Sequence, residues 1–117
     1  MSDNDYIVPK ALLIRGKKFK KDIKKGRRTT SVRKGHLDYK IGDIVLIGDP
    51  IDGWCVFRKI TNVRHTILKE ITPEEWGIEG FEVTKDKLKH LRKFFTTLKL
   101  DSKMTVVTFS PRDITVS

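Results

Sequence analysis

The sequence predicts an α+β domain, and three observations carry that expectation. Strand-like and helix-like segments follow one another as strand, helix, strand, strands, two helices, strand. Their connections are too short and irregular for repeated right-handed crossovers, which argues against a doubly wound parallel sheet. A chain of 117 residues with 38% hydrophobic content fills one modest core and is too short for two domains. A small, strongly bent sheet or barrel flanked by helices suits this order, and the pattern leaves closure of the sheet open.

The elements follow in turn. The first ten residues read as a flexible segment, the body of the domain runs over 11–110, and 111–117 form a tail. Ala11 to Arg15 is apolar and follows Pro9, which favours an early strand. From Lys17 to Lys25 the apolar residues are Phe19 and Ile23, four apart, on one side of a short helix otherwise covered by lysine. Gly26 suits the left-handed residue that ends it. Thr29 to Val32, three β-branched residues and a serine, favour a strand. "IVLIG" and "WCVFRKITNV", separated by "GDPIDG", make a hairpin. Thr72, Pro73 and Glu75 supply an N-cap, a first-turn proline and a capping-box acid for a brief helix before Gly77 and Gly80. Thr84 caps a longer helix with Leu88, Leu91, Phe95 and Leu98 on one stripe. "MTVVTF", Met104 to Phe109, is the last strand.

Charge points to function. The net charge is +10, from 25 Lys and Arg against 15 Asp and Glu. Arg15 to Lys34 holds eleven of the cations and one acid, Asp22, so the rest of the chain carries fourteen of each sign. Charge this concentrated repels itself until a polyanion offsets it. A single cysteine, Cys55, excludes an internal disulfide and reads as a buried thiol in a strand. His36, His65 and His90 lack metal-ligand spacing, so no metal and no cofactor is expected. The apolar run Ala11 to Ile14 is far short of a signal core or a membrane span, and the basic helix has only Phe19 and Ile23 to insert into a bilayer. An intracellular, cytoplasmic protein without a membrane role is expected.

Gly26, Arg28 and Arg33 follow the signature GxKxxxxR of the ASCH domains, with arginine where that family usually has lysine. "FKKDIKKGRRTTSVR", "KIGDIVLI", "KITNV", "EITPEEWGIEGF" and "MTVVTF" extend the likeness over about ninety residues, from Phe19 to Phe109. ASCH domains resemble PUA domains, so the likeness implies a small mixed β-barrel with short helices at its ends and a cleft beside the signature. Many such domains are thought to bind RNA. A smaller branch looks like amidohydrolases acting on N4-acetylcytidine, and its proposed catalytic lysine, hydroxyl and glutamate fall on Arg28, Ser31 and Glu79. The resemblance places the cleft at Gly26, Arg28, Ser31, Arg33 and Glu79, and Trp54 joins them as a ring at a loop edge.

The arginine matters because a buried lysine can act as a base, whereas a guanidinium stays protonated at any physiological pH. Arg28 instead presents a planar fork of donors to a phosphate or a carbonyl edge. In an extended strand Arg27, Thr29, Ser31 and Arg33 share one face and Arg28 shares the other with Thr30 and Val32. Arg28 and Ser31 therefore meet only if Arg28 belongs to the turn after Gly26. Glu70, Glu74 and Glu75 read as a solvated acidic face, and Glu79 as either a brace for the arginine or a base. Trp54, Trp76 and Tyr39 are candidates for base stacking, with a place in the core as the equal alternative for Trp54 and the favoured reading for Trp76, and "KGHLDY", with Lys34 and His36, reads as a mobile loop able to close over a ligand.

The expected function is an RNA- or nucleotide-binding module. Lys17, Lys18, Lys20, Lys21, Lys24, Lys25, Arg27, Arg28, Arg33 and Lys34 would meet single-stranded or structured RNA, with DNA as a second partner. The alternatives are an amidohydrolase using Ser31 and Glu79, a metal-dependent ribonuclease, and an adaptor for an acidic protein.

Overall fold

Alternation of apolar and polar residues sets the sheet. In the computed structural model, which describes residues 10–14, 17–76, 85–92 and 97–114, five strands and three α-helices are present among the described residues. They are β1 (Lys10–Leu13), α1 (Lys17–Lys24), β2 (Thr30–Lys34), β3 (Ile44–Asp49), β4 (Trp54–Ile67), α2 (Pro73–Trp76), α3 (Lys85–Leu91) and β5 (Lys103–Phe109). The strand order is β1-β3-β4-β5-β2. The sheet is mixed: β1 runs parallel to β3, with Lys10 opposite Val45, and β3 runs antiparallel to β4, with Ile47 opposite Val56. The expected hairpin is therefore present.

The chain divides into two compact units, one from residues 1–29, 39–62 and 108–117, the other from 30–38 and 63–107. In the first, Leu12, Val45, Ile47, Val56 and Ile60 point inward from the strands and Ile23 from α1, all buried. In the second, Val32, Leu68, Ile71, Leu88, Leu98, Met104 and Val106 form the core, with Trp76, Leu91 and Leu100 packed on it. Both are predominantly aliphatic cores, with Trp54 and Phe109 also buried in the first, of the kind that period-two strands and one-sided helices build.

Three local features differ from expectation. β4 continues past Val63 to Ile67, so its second half belongs to the second unit. The described part of α3 ends at Leu91, and Leu98 reaches the core from non-helical chain. Thr97, just before it, has a positive φ of 55°, unfavourable for a β-branched residue and incompatible with helix continuation. The proposed cap Thr84 and Phe95 lie outside the described residues.

The largest buried polar side chain of the first unit is a cation. β4 alternates strictly from Trp54 to Ile60, and Arg58 falls on the inward side at 1% exposure. Its guanidinium donates from Nε to Asp113 Oδ1 (2.8 Å), from Nη1 to the Ser110 carbonyl (3.1 Å) and from Nη2 to the Ile23 carbonyl (2.9 Å). One side chain thus joins the sheet to the end of α1 and to the segment after β5, where the Ile114 N–H also donates to the Phe57 carbonyl. Arg58→Met keeps the bulk but removes donors from two carbonyls. At about 1–3 kcal/mol for each buried acceptor left unsatisfied, a loss of about 2–4 kcal/mol in unfolding free energy is expected by urea denaturation, and a loss below about 1 kcal/mol would show that the packing tolerates the change.

Candidate nucleic-acid interface

The described side chains of the basic helix and its turn put one apolar residue inside and most of their cations outside. Ile23 is fully buried, while Lys21, Lys24, Lys25 and Arg27 are exposed and Phe19 and Lys20 half-buried. Lys17 and Lys18 form its first turn. Among the described residues none of Lys20, Lys21, Lys24, Lys25 and Arg27 is in an ion pair. Lys21 and Lys24 sit in the last turn, where the helix dipole favours cations.

The helix ends as a glycine-closed turn. The Gly26 N–H donates to the Ile23 carbonyl (3.1 Å), and the Arg27 and Arg28 N–H groups both donate to the Asp22 carbonyl (2.8 and 3.1 Å). Gly26 has φ of 74°, and a Cβ there would lie 2.7 Å from the Pro111 carbonyl oxygen. Arg28 lies in this turn, before β2 begins at Thr30. Its guanidinium carbon sits 4.4 Å from the centroid of the Phe19 ring, a cation–π contact that fixes the fork beside the helix.

In the second unit, Ser31 and Arg33 share a face of β2, as alternation requires. Arg33 Nε donates to Ser31 Oγ (3.0 Å), and Ser31 is 3% exposed. The hydroxyl oxygen thus accepts from a guanidinium and holds Arg33 in place. Lys34 Nζ donates to Thr97 Oγ1 (2.7 Å). Glu79 lies outside the described residues, and among those described no group of three or more His, Cys, Asp or Glu is placed to hold a metal ion. Gly26, Arg28 and Trp54 belong to the first unit, Ser31 and Arg33 to the second.

The start of β2 is held by α2. Thr72 and Glu75 form the expected capping box, with Glu75 N–H to Thr72 Oγ1 (3.2 Å) and Thr72 N–H to Glu75 Oε1 (2.9 Å). Thr30 Oγ1 donates to the Glu75 carbonyl (2.9 Å). Glu75 is not part of a solvated face: Arg64 binds it through Nη2 (2.6 Å) and Nε (2.9 Å). The Arg64 guanidinium, and to a lesser extent the Thr72 donors, hold this carboxyl below its usual range. Sequence reading missed the pair because Arg64 lies in the unforeseen extension of β4.

Of the candidate stacking rings, the two tryptophans take core places, the alternative for Trp54 and the favoured reading for Trp76. Trp54 points inward at 5% exposure, and Trp76 packs on the core of the second unit. Tyr39 is half-buried, donates to the Ala11 carbonyl (3.2 Å), and lies under Lys10, which pairs with Asp43 (2.9 Å). Cys55 is exposed rather than buried, because strict alternation along β4 gives the inward places to Trp54 and Val56. Nor is the loop after β2 a free lid. The Gly35 N–H donates to the Lys103 carbonyl (2.6 Å), the Leu37 N–H to Thr105 Oγ1 (2.9 Å), and Thr105 Oγ1 to the Gly35 carbonyl (2.6 Å).

Two substitutions test this frame. Gly26→Ala forces a left-handed residue with a Cβ against Pro111, so a loss of about 1–3 kcal/mol is expected in denaturant melts; an unchanged midpoint would refute the steric requirement. Glu75→Gln removes a carboxylate whose folded-state pKa is depressed. Its stabilisation is present above the ordinary value of 4.5 and is lost as pH falls below it. The variant should be about 0.5–1.5 kcal/mol less stable than the parent at pH 7, and the gap should close below about pH 4. A gap independent of pH would show that the ion pair is not its origin.

No protein-family model and no curated protein matches the sequence. Solved structures do. The ASCH domain of Lactobacillus crispatus JV V101 matches with a TM-score of 0.65 at 14% identity, over 92% of this chain and 81% of that one. A DUF984 protein of Enterococcus faecalis V583 matches with a TM-score of 0.71 at 13% identity, over 97% of this chain and 86% of that one. With its mixed five-stranded sheet and short helices, the chain has the α+β fold of these two structures, an ASCH-like fold.

Proposed function

We propose that the protein binds RNA, with the phosphate backbone laid along α1 and the turn that follows it. The observation that carries this reading is the set of exposed Lys21, Lys24, Lys25 and Arg27 with half-buried Lys20, in no ion pair among the described residues, in a segment that holds the whole formal charge excess of the chain. Cations kept apart from carboxylates gain most from releasing the counterions of a polyanion. The resemblance to ASCH domains, many of which are thought to bind RNA, supports the same partner. Arg28, held over Phe19, offers a fixed fork of donors to a phosphate or a base edge, and its permanent charge favours gripping an anion over moving a proton. No described helix is long and apolar enough to cross a membrane.

Counterion release makes the test quantitative. Engagement of these five cations by single-stranded RNA gives a slope of log K against log salt of roughly −3 to −4, about a 100-fold loss of affinity between 50 and 200 mM salt. Fluorescence anisotropy with a labelled oligoribonucleotide measures it. Replacing Lys20, Lys21, Lys24 and Lys25 by glutamine should reduce the slope by about 3 and weaken all sequences alike. A flat salt dependence in the parent protein would end this reading.

A further inference from the structure

The second unit contains a pair of aromatic rings whose joint role no spacing in the sequence suggests. His36, in the loop after β2, and His65, on β4, lie 29 positions apart, yet their imidazoles stack with centroids 4.8 Å apart and planes 9° from parallel. Both residues are exposed. Each ring is also tethered: His36 Nε2 lies 3.1 Å from the Thr66 carbonyl and His65 Nε2 2.9 Å from the Leu37 carbonyl. A carbonyl oxygen only accepts, so both Nε2 atoms carry hydrogen and both Nδ1 atoms remain acceptors in the neutral rings.

We propose that this stacked pair is a platform for an unpaired nucleobase, which rests on the reading of the protein as an RNA binder. Four observations bear on it. Both histidines are exposed, whereas Trp54 is buried, Trp76 is half-buried against the core of its unit, and Tyr39 is half-buried with Lys10 Nζ 5.7 Å from its ring centroid. They are rigid before any ligand arrives: Gly35 and Leu37, on either side of His36, are tied to β5 through Lys103 and Thr105, and each imidazole is fixed by its own hydrogen bond. Ordering two exposed side chains is normally part of the cost of binding, and here the fold has already met it. Cations adjoin the loop, with Lys34 before it in sequence and exposed Lys103 bonded to Gly35 through the backbone. The rings also offer acceptors at Nδ1 beside a π surface, which together suit a base rather than a bare phosphate.

This platform supplies what α1 lacks. Lysines along a backbone hold any polyanion, while a ring stack recognises only a chain that carries bases.

The test compares two polyanions. A single-stranded oligoribonucleotide carries bases, and inorganic polyphosphate of similar charge does not. His36→Ala and His65→Ala, each confirmed as folded by its thermal transition, should weaken RNA binding by roughly 5- to 100-fold. Their salt slope and their affinity for polyphosphate should stay at the values of the parent protein. His65→Phe, which keeps a ring and loses the tether, should retain more RNA affinity than His65→Ala. In the parent complex, 2-aminopurine in the oligonucleotide should be quenched on binding, and His36→Ala should relieve that quenching. Equal losses for RNA and polyphosphate would overturn the platform, because the rings would then act only through structure or charge. RNA binding unchanged in both alanine variants would overturn it while leaving the α1 reading intact. Absence of RNA binding by the parent protein would overturn both.

Discussion

The buried guanidinium of Arg58 is the constraint on which the first unit depends. It occupies an inward place of β4 between apolar Val56 and Ile60, and its fixed fork of donors reaches three acceptors, one on α1 and two after β5. A buried cation is tolerated only when its hydrogen bonds are made, so the end of α1 and the segment after β5 must lie where their carbonyls and the Asp113 carboxylate can receive them. A lysine would meet one or two of these acceptors, not three in a plane. The bond to the Ile23 carbonyl fixes the last turn of the basic helix, and the bond to the Ser110 carbonyl fixes the residue before Pro111, the one that crowds Gly26. The position of the helix and the shape of the turn therefore have a common origin.

That arrangement explains how the chain tolerates its charge. Eleven cations in twenty residues repel one another, and among the described side chains of the helix that carries several of them Ile23 alone is fully buried. Attachment through Ile23, through the Arg58 contact with its carbonyl, and through the glycine-closed turn holds a strongly basic segment to a fold whose remaining charge is balanced. Among the described residues Lys21, Lys24, Lys25 and Arg27 are exposed and in no ion pair, so no neighbouring carboxylate offsets their mutual repulsion. Arg28 differs from them, since the Phe19 ring gives it a defined direction.

The second unit uses neutral and paired groups to similar effect. Glu75 closes a capping box, accepts two bonds from Arg64, and offers its backbone carbonyl to Thr30 at the start of β2. Ser31 then orients Arg33, and Thr105 fastens the loop that follows. Side chains whose types suggest catalysis or a mobile lid are, in the folded chain, holding strands and loops in register. Rigidity in this region is what allows two exposed imidazoles to stay stacked.

Features set by residues close together in the chain are legible in the sequence alone. The hairpin of β3 and β4, the Thr72–Glu75 cap, the left-handed Gly26 and the one-sided helix α1 all follow from local patterns, where backbone geometry decides which groups meet. The clustered charge and the arginine signature are equally plain. The role of Arg58 is not, because its partners lie 35, 52 and 55 positions away. The same holds for the stacked histidines, the Arg64–Glu75 pair and the pinned loop. A side chain's chemical type limits which bonds it can make, but which distant carbonyl or ring it meets is settled only when the strands pair and the cores close. That is why composition points to a polyanion as the partner, while tertiary packing alone locates the groups that would present themselves to it.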